Sequence, residues 1–261
     1  MNEAVTLSID ARGVAVIALN RPELHNALDD HAVALLCRHL TRLAEDRSVR
    51  VVVLTGNGIS FSTGHDIDWM RRMATSTPEA LQTDARQVAQ MLALLDTLPQ
   101  PTIARVHGSA FGMGAGLVAC CDVAIGVSDA LFGFSDVKLG VIPAMVTPYI
   151  IRTIGERATR RYFITAERFN AGKAKRLGLL HQVVENDEID YAVDHMVSHL
   201  LINGPHAMTA AKHLVATIGS AGLSPGVTDL TVDTIVRLRG SDEGREGILA
   251  FLEKRKPGWV D

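Results

Sequence analysis

No stretch of the chain restricts its fold more than Arg105-Val106-His107-Gly108-Ser109-Ala110-Phe111-Gly112-Met113-Gly114-Ala115-Gly116-Leu117-Val118-Ala119-Cys120-Cys121-Asp122. An extended apolar run, Thr102 to Val106, leads in, breaks at small residues, and continues without a charge as far as Asp122. A strand entering a buried helix fits that pattern. Small residues at 108, 109, 110, 112, 114, 115 and 116 leave the backbone open to close approach, because they carry little or no side chain. The first N–H groups of a helix have no partner within it, so a glycine-lined helix start can meet an anion or a developing negative charge. This is the first candidate for a site.

The totals narrow the class. At 261 residues, 47% hydrophobic and 21% charged, the chain is an ordinary globular protein with a sizeable core, long for one domain and short for two. Its net charge of −3 gives no general attraction to nucleic acid. The three cysteines are an odd count. Cys120 and Cys121 are adjacent in the apolar helix and Cys37 lies in another helical pattern, so reduced, buried thiols in a cytosol-like compartment are expected. No CxxC pair suggests zinc. Met1-Asn2-Glu3 is neither basic nor apolar, so no signal peptide is expected. Val106 to Val127 is weakly polar enough to suggest a membrane span, but its glycines, Ser109 and Asp122 favour a buried strand–helix–strand.

In order, Val5 to Ile9 and Val14 to Leu19 read as a β-hairpin, and Asn20 to Leu28 as a loop. Asp29 or Asp30 caps a helix running through Leu35, Leu36, Leu40 and Leu43. Val49 to Thr55 has the look of a fully covered parallel strand. A second small-residue loop, Gly56 to Asp66, leads into a helix at Ile67 to Met73. Another helix, about Glu79 to Leu98, is stopped by Pro99 and Pro101. Val123 to Val127 and Leu131 to Phe134 read as short strands. Helices follow through about Ile154, Thr159 to Thr165, Ala171 to Leu177 and Asp190 to Leu201. From Pro205 the pattern is wholly helical, broken at Gly219 to Gly226 and at Gly240. Strands alternating with helices, then a helical tail, predict an α/β core with right-handed crossovers and an appended helical region.

Two strand–loop–helix units, at 51–70 and 102–121, each place small residues where a helix begins. Side by side, such loops either aim two backbone N–H groups at one oxygen, or simply let helix pack closely on sheet. A dinucleotide fingerprint fails because the third glycine of GxGxxG falls at Leu117. A phosphate-binding GxxxxGK[ST] and a GxSxG are both absent. His65-Asp66 with Asp68 could ligate a metal, but an adjacent pair with no matching His elsewhere is more often a polar loop. Asp136, in an otherwise apolar run, is either a cap and turn residue, the plainer reading, or a general acid/base with a raised pKa. Asp122 reads as structural, and Lys254-Arg255-Lys256 as a solvated helix end or a phosphate holder.

The combination Asn20-Arg21-Pro22…Asn26-Ala27-Leu28, Gly56-x-Gly58…Phe61-Ser62-x-Gly64-x-Asp66, the stretch through Cys121-Asp122, and Gly140-x-Ile142-Pro143 resembles the crotonase (enoyl-CoA hydratase/isomerase) superfamily across essentially the whole chain. Within it, Asp68-Trp69-Met70-Arg71-Arg72-Met73, Phe134-Ser135-Asp136-Val137, Pro148-Tyr149 and Arg160-Arg161-Tyr162-Phe163 are similar to bacterial 3-methylglutaconyl-CoA hydratases of leucine and isoprenoid breakdown. The resemblance implies an α/β spiral of ββα units over 1–200 and a helical C-terminal trimerisation region over 201–261, with trimers that often pair into hexamers. It implies a cytoplasmic acyl-CoA enzyme with no metal and no cofactor beyond the coenzyme A of its substrate, and no nucleic-acid or membrane partner. The backbone amides of His65 and Met113 would polarise the thioester carbonyl, stabilising an enolate-like transition state without reorganising. Thr63, Gly64, Asp66, Ile67, Gly112 and Gly116 would line the acyl site. Glu23, Leu24 and His25 would line the coenzyme A path, and Phe251 and Lys254 would reach the coenzyme A of a neighbouring subunit.

Three departures from the family pattern matter. Of the two glutamates typical of its hydratases, the first falls at Gly116, as in the methylglutaconyl-type relatives. The second falls at Asp136, one methylene shorter, a shift of roughly an ångström that can cost orders of magnitude in rate unless the backbone compensates. Finally, His65 and Met113 replace small residues at the oxyanion positions, where their side chains narrow or repolarise the acyl pocket, and His65 gains the option of acting as an acid or water holder. The expected activity is hydration of a branched or carboxylated enoyl-CoA with Asp136 as general acid/base. The alternatives are an isomerase or decarboxylase using one carboxylate, or a relative that binds acyl-CoA without turnover.

Overall fold

The computed structural model describes residues 3–219 and 224–260. Met1, Asn2, Asp261 and the part of the predicted 219–226 break at 220–223 lie outside it. The strands are β1 (Val5–Ile9), β2 (Val14–Leu19), β3 (Val51–Gly56), β4 (Ser60–Ser62), β5 (Thr102–Val106), β6 (Ser109–Phe111), β7 (Val123–Val127), β8 (Leu131–Gly133), β9 (Phe169–Asn170) and β10 (Gln182–Val184). The helices are α1 (Asp30–Glu45), α2 (Ile67–Met73), α3 (Pro78–Asp96), α4 (Met113–Cys120), α5 (Thr147–Ile154), α6 (Glu156–Thr165), α7 (Ala171–Leu177), α8 (Ile189–Leu201), α9 (Pro205–Ile218), α10 (Pro225–Gly240) and α11 (Asp242–Leu252). Short 3-10 turns occupy Pro22–Leu24 and Asp136–Leu139.

The predicted hairpin is present, with Val5 opposite Leu19 and Ile9 opposite Ala15. From β2 onward the sheet is parallel, in the order β1-β2-β3-β5-β7-β10. Every residue of β3 is buried, as its continuous apolar run requires of a strand covered on both faces. A smaller sheet, β4-β6-β8-β9, stacks the short strands that follow β3, β5 and β7, with β9 closing it antiparallel. Each unit is thus two strands, one per sheet, and then helix. In the sequence, Ser60–Ser62 and Ser109–Phe111 lie inside small-residue breaks. Three residues are too few to display alternation, and these strands exist because successive units stack them in register. Helix α3 begins at Pro78, one residue earlier than expected, with Thr77 capping the Ala80 amide at 3.3 Å and proline in the first turn, where its missing N–H costs nothing. Asp29 caps α1 through the Ala32 amide at 2.8 Å.

The 106–127 segment resolves into strand, helix and strand, and among the described residues no helix is long and apolar enough to cross a membrane. Cys120 and Cys121 are free and buried, whereas the free Cys37 is only half-buried. Burial pushes the Cys121 thiol up to about 12, which leaves it protonated at neutral pH. Helices α9, α10 and α11 pack on one another after the core.

Helix α4 is buried along its whole length, and its glycines show why. A Cβ on Gly114 would lie 2.4 Å from the Ser62 carbonyl oxygen, and one on Gly116 would lie 2.2 Å from Val146 Cγ1. Alanine normally favours a helix interior over glycine by roughly 0.5–1 kcal/mol, but overpacking costs about 1–3 kcal/mol, so the clash decides the sign. Gly114→Ala and Gly116→Ala should both lower the urea midpoint. Only the second should be partly restored by Val146→Ala, since a side chain can be removed and the Ser62 carbonyl cannot. A Gly114→Ala protein as stable as the parent would contradict this packing.

Candidate active site

The site is assembled by a clamp from the loop between β2 and α1. Asn26 is buried and its three polar contacts are met. Its Oδ1 accepts from the Arg21 amide at 2.9 Å, and its Nδ2 donates to the Asn57 and Ser60 carbonyls, each at 2.8 Å. Its own carbonyl accepts from Ser62 Oγ at 2.8 Å. Arg21 donates to the Ala27 carbonyl (2.8 Å) and to Asp66 Oδ2 (2.9 Å), and pairs with Asp29 (3.1 Å). Asp66 also caps α2, accepting from the Asp68 and Trp69 amides at 2.8 and 3.1 Å. Burial pushes the Asp66 carboxyl up, but those amides and the Arg21 guanidinium outweigh it, and the net shift is downward. A carboxylate so engaged is a structural anchor rather than a metal ligand.

This clamp fixes the direction of one amide. Leu28 and His65 form a parallel bridge, in which the Leu28 amide donates to Gly64 O (2.7 Å) and the Asp66 amide donates to Leu28 O (2.9 Å). In a parallel pair the bridged residue's own N–H points away from the partner, so the His65 amide is left over. Gly64, at φ 94°, turns the chain here, and a Cβ on it would stand 3.1 Å from Phe111 O and 3.5 Å from the Met113 nitrogen. The loop before α2 therefore meets the start of α4. Met113 is the first residue of that helix and its N–H has no partner within it. Among the described residues neither the His65 nor the Met113 N–H has a hydrogen-bond acceptor.

Gly112, at φ 51°, makes the turn into α4. Among the described residues, only Asp136 Oδ2 is found within 4 Å of a Cβ built there, at 3.9 Å. The Gly112 amide donates to Gly133 O at 2.9 Å, which ties α4 to the strand preceding Asp136. Asp136 is half-buried, and its side chain makes no capping bond and no hydrogen bond among the described residues. The cap reading is thereby corrected: the turn is closed by backbone bonds, Lys138 N to Ser135 O and Gly140 N to Val137 O, leaving the carboxylate free. The His65 ring is half-buried and packs on Trp69, with centroids 5.0 Å apart. Burial pushes the His65 pKa down, against the opposing charges of Asp136 and Asp84, which favours the neutral ring.

The sequence-predicted residues divide. Gly64, His65, Gly112, Met113 and Asp136 come together. Thr63 joins the clamp through its amide, which donates to His25 O at 3.1 Å, while Glu23, Leu24 and His25 lie exposed along the outer edge of that loop. Ile67 is exposed at the start of α2, and Gly116 is buried under Val146. Phe251, 82% exposed, and Lys254 lie at the end of α11, which packs on α9 and α10. Arg255 of the basic run is held by Glu246 and Glu253, at 2.6 and 2.7 Å. Asp122 is structural, taking the Thr102 amide and hydroxyl and pairing with Lys212 at 2.7 Å.

Sequence reasoning missed Asp84. It accepts from Trp69 Nε1 at 3.0 Å, and burial raises its pKa. The signal was present: Asp84 stands four residues before Val88 on the face of α3 that also buries Met91, Leu92 and Leu95.

Residues 10–261 match the enoyl-CoA hydratase/isomerase family. The chain is 32% identical over 246 residues to the 2,3-dehydroadipyl-CoA hydratase of Escherichia coli, covering 94% of each protein. An enoyl-CoA hydratase structure from Shewanella pealeana superposes with a TM-score of 0.95 at 39% identity, covering 98% of this chain and 96% of that one. Pseudomonas aeruginosa AtuE superposes at 0.94 and 35% identity, covering 99% and 100%. With its stacked ββα units, its helical C-terminal region and this likeness along nearly its full length, the chain belongs to the enoyl-CoA hydratase/isomerase (crotonase) family and is an acyl-CoA enzyme.

Proposed function

We propose that this enzyme hydrates a branched or carboxylated enoyl-CoA of the 3-methylglutaconyl-CoA type, through an enolate whose oxygen is held by the amides of His65 and Met113. The observation that carries the reading is the pair of unpartnered amides beside a free carboxylate, Asp136. As water adds to the β carbon, the alkene electrons move onto the thioester oxygen, where two fixed N–H donors are worth most; loss of one such donor costs about 10²–10³ in rate. Asp136 carries the proton between water and the α carbon. Glu23, Leu24 and His25 border the entry taken by coenzyme A, which enters only as part of the substrate. Gly64 and Gly112 shape the acyl site around the two amides, Thr63 and Asp66 brace it through the clamp, Ile67 lies exposed at its α2 edge, and Val146 takes the space beside Gly116. Phe251 and Lys254 reach the coenzyme A of a neighbouring subunit in a trimer or a pair of trimers. The exposed Ile248, Leu249, Phe251 and Leu252 support such an assembly, since apolar groups clustered on one helix favour a partner. The compartment is the cytoplasm.

One observation favours a second reading. Val146 occupies the space a side chain at position 116 would need, so Asp136 is the carboxylate left beside the amides. An isomerase or decarboxylase needs a single proton carrier, and this arrangement supplies one.

A panel of enoyl-CoA esters separates the two readings. Loss of the conjugated thioester absorbance with gain of one water in product mass is the expected result, whereas an unchanged mass marks isomerisation and loss of carbon dioxide marks decarboxylation. Asp136→Asn should lower kcat by about 10²–10⁴-fold without moving Tm, and an unchanged rate would remove Asp136 from its role.

A further inference from the structure

Hydration asks more of the site than enolate chemistry does. A water oxygen must be held at the β carbon, and one carboxylate fixes it by one hydrogen bond only. The wall formed by α4 supplies no second group: beyond Gly112 it presents Gly116, covered by Val146 and Leu92. The loop before α2, which meets the start of α4, carries the His65 imidazole. Neither of its ring nitrogens has a hydrogen-bond partner among the described residues. The ring is nevertheless held in place. It packs at 5.0 Å and 48° on Trp69, which is 3% exposed and pinned through Nε1 to Asp84 on α3. Gly64, the neighbour of His65, and the Gly112 that faces Asp136 meet at the start of α4, where a Cβ on Gly64 would stand 3.5 Å from the Met113 nitrogen and one on Gly112 would stand 3.9 Å from Asp136 Oδ2. Asp136 is the leading charge acting on the ring. A neutral imidazole keeps one nitrogen as an acceptor.

We infer that the His65 side chain is a second catalytic group, accepting a hydrogen bond from the water that adds to the β carbon; this rests on the hydration reading above. The step balances without a co-reactant. The water oxygen bonds to the β carbon, the alkene electron pair moves onto the thioester oxygen, and the water's proton passes to Asp136. Asp136 then gives that proton to the α carbon as the enolate collapses. His65 orients the water through its remaining O–H and ends unprotonated. Trp69 and Asp84 act through His65 and are positioning residues.

His65→Ala and His65→Gln keep the backbone amide, so the oxyanion contact survives in both. Two rates are to be measured on folded enzyme: hydration of crotonyl-CoA and 3-methylglutaconyl-CoA, and exchange of the α protons of butyryl-CoA with deuterium oxide, which needs the amides and Asp136 but no positioned water. His65→Ala should hydrate ~100-fold more slowly while its exchange rate falls by at least about tenfold less than that, and the glutamine carbonyl, able to accept the same bond, should recover about tenfold of the hydration loss. Hydration unaffected in His65→Ala overturns the inference. So does equal loss of hydration and exchange, which would place His65 in the geometry of the amides instead. Failure of the underlying reading looks different: the parent enzyme itself would exchange butyryl-CoA and hydrate neither ester, and the inference would fall with it.

Discussion

Leaving two N–H groups without partners at a crowded junction is the constraint on which this structure turns. A buried unsatisfied amide costs roughly 1–3 kcal/mol, and a flexible chain would rearrange to avoid it. Here the alternatives are closed off. Gly64 O and Asp66 N are already bonded to Leu28, so the His65 amide cannot turn that way. Asp66 is held by Arg21 and by the first turn of α2. Asn26 ties the clamp to β4 through bonds that leave none of its amide groups idle on that side. The family signature Asn20-Arg21-Pro22…Asn26-Ala27-Leu28 is therefore less a ligand contact than the brace that keeps an amide free.

The glycines of the α4 segment serve two ends, and the structure sorts them. Gly114 and Gly116 let a fully buried helix press against the Ser62 carbonyl and Val146. Gly112 alone of the three has a left-handed φ and opens toward Asp136. Close packing bears on the proposed chemistry, because the contact at Gly114 seats the start of α4 against the strand that leads into His65. A helix displaced by even one side-chain radius would separate the Met113 amide from its counterpart, and misplacements of about 1 Å can cost some 10²-fold in rate.

Much of this was legible in the chain. The hairpin, the covered β3, the strand–helix–strand at 102–127 and the Asp29 cap follow from apolar periodicity and capping chemistry, which are local. The second sheet was not legible, since strands of three residues carry no period and are created by stacking between units. At the site, spacing pointed to two glycine-lined helix starts, but it could not tell packing from catalysis. The bridge at Leu28 and the open side of Gly112, on which the proposed reading rests, arise from tertiary packing that spacing does not display. Nothing near Gly116 in sequence announces Val146, which lies far along the chain and against it in space. Asp84 was hidden differently, as an acid on an apolar helix face whose partner, Trp69, lies on another helix.

The central claim is that the His65 and Met113 amides polarise a thioester carbonyl, and it can be tested apart from turnover. The carbonyl stretch of butyryl-CoA labelled with carbon-13 at the thioester carbon, bound to the Asp136→Asn enzyme, reports directly on hydrogen bonding to that oxygen. Two converging N–H donors should move the band to lower frequency than in the free ligand, with Asp136 playing no part in the shift. A bound carbonyl that vibrates at the free frequency would contradict the account.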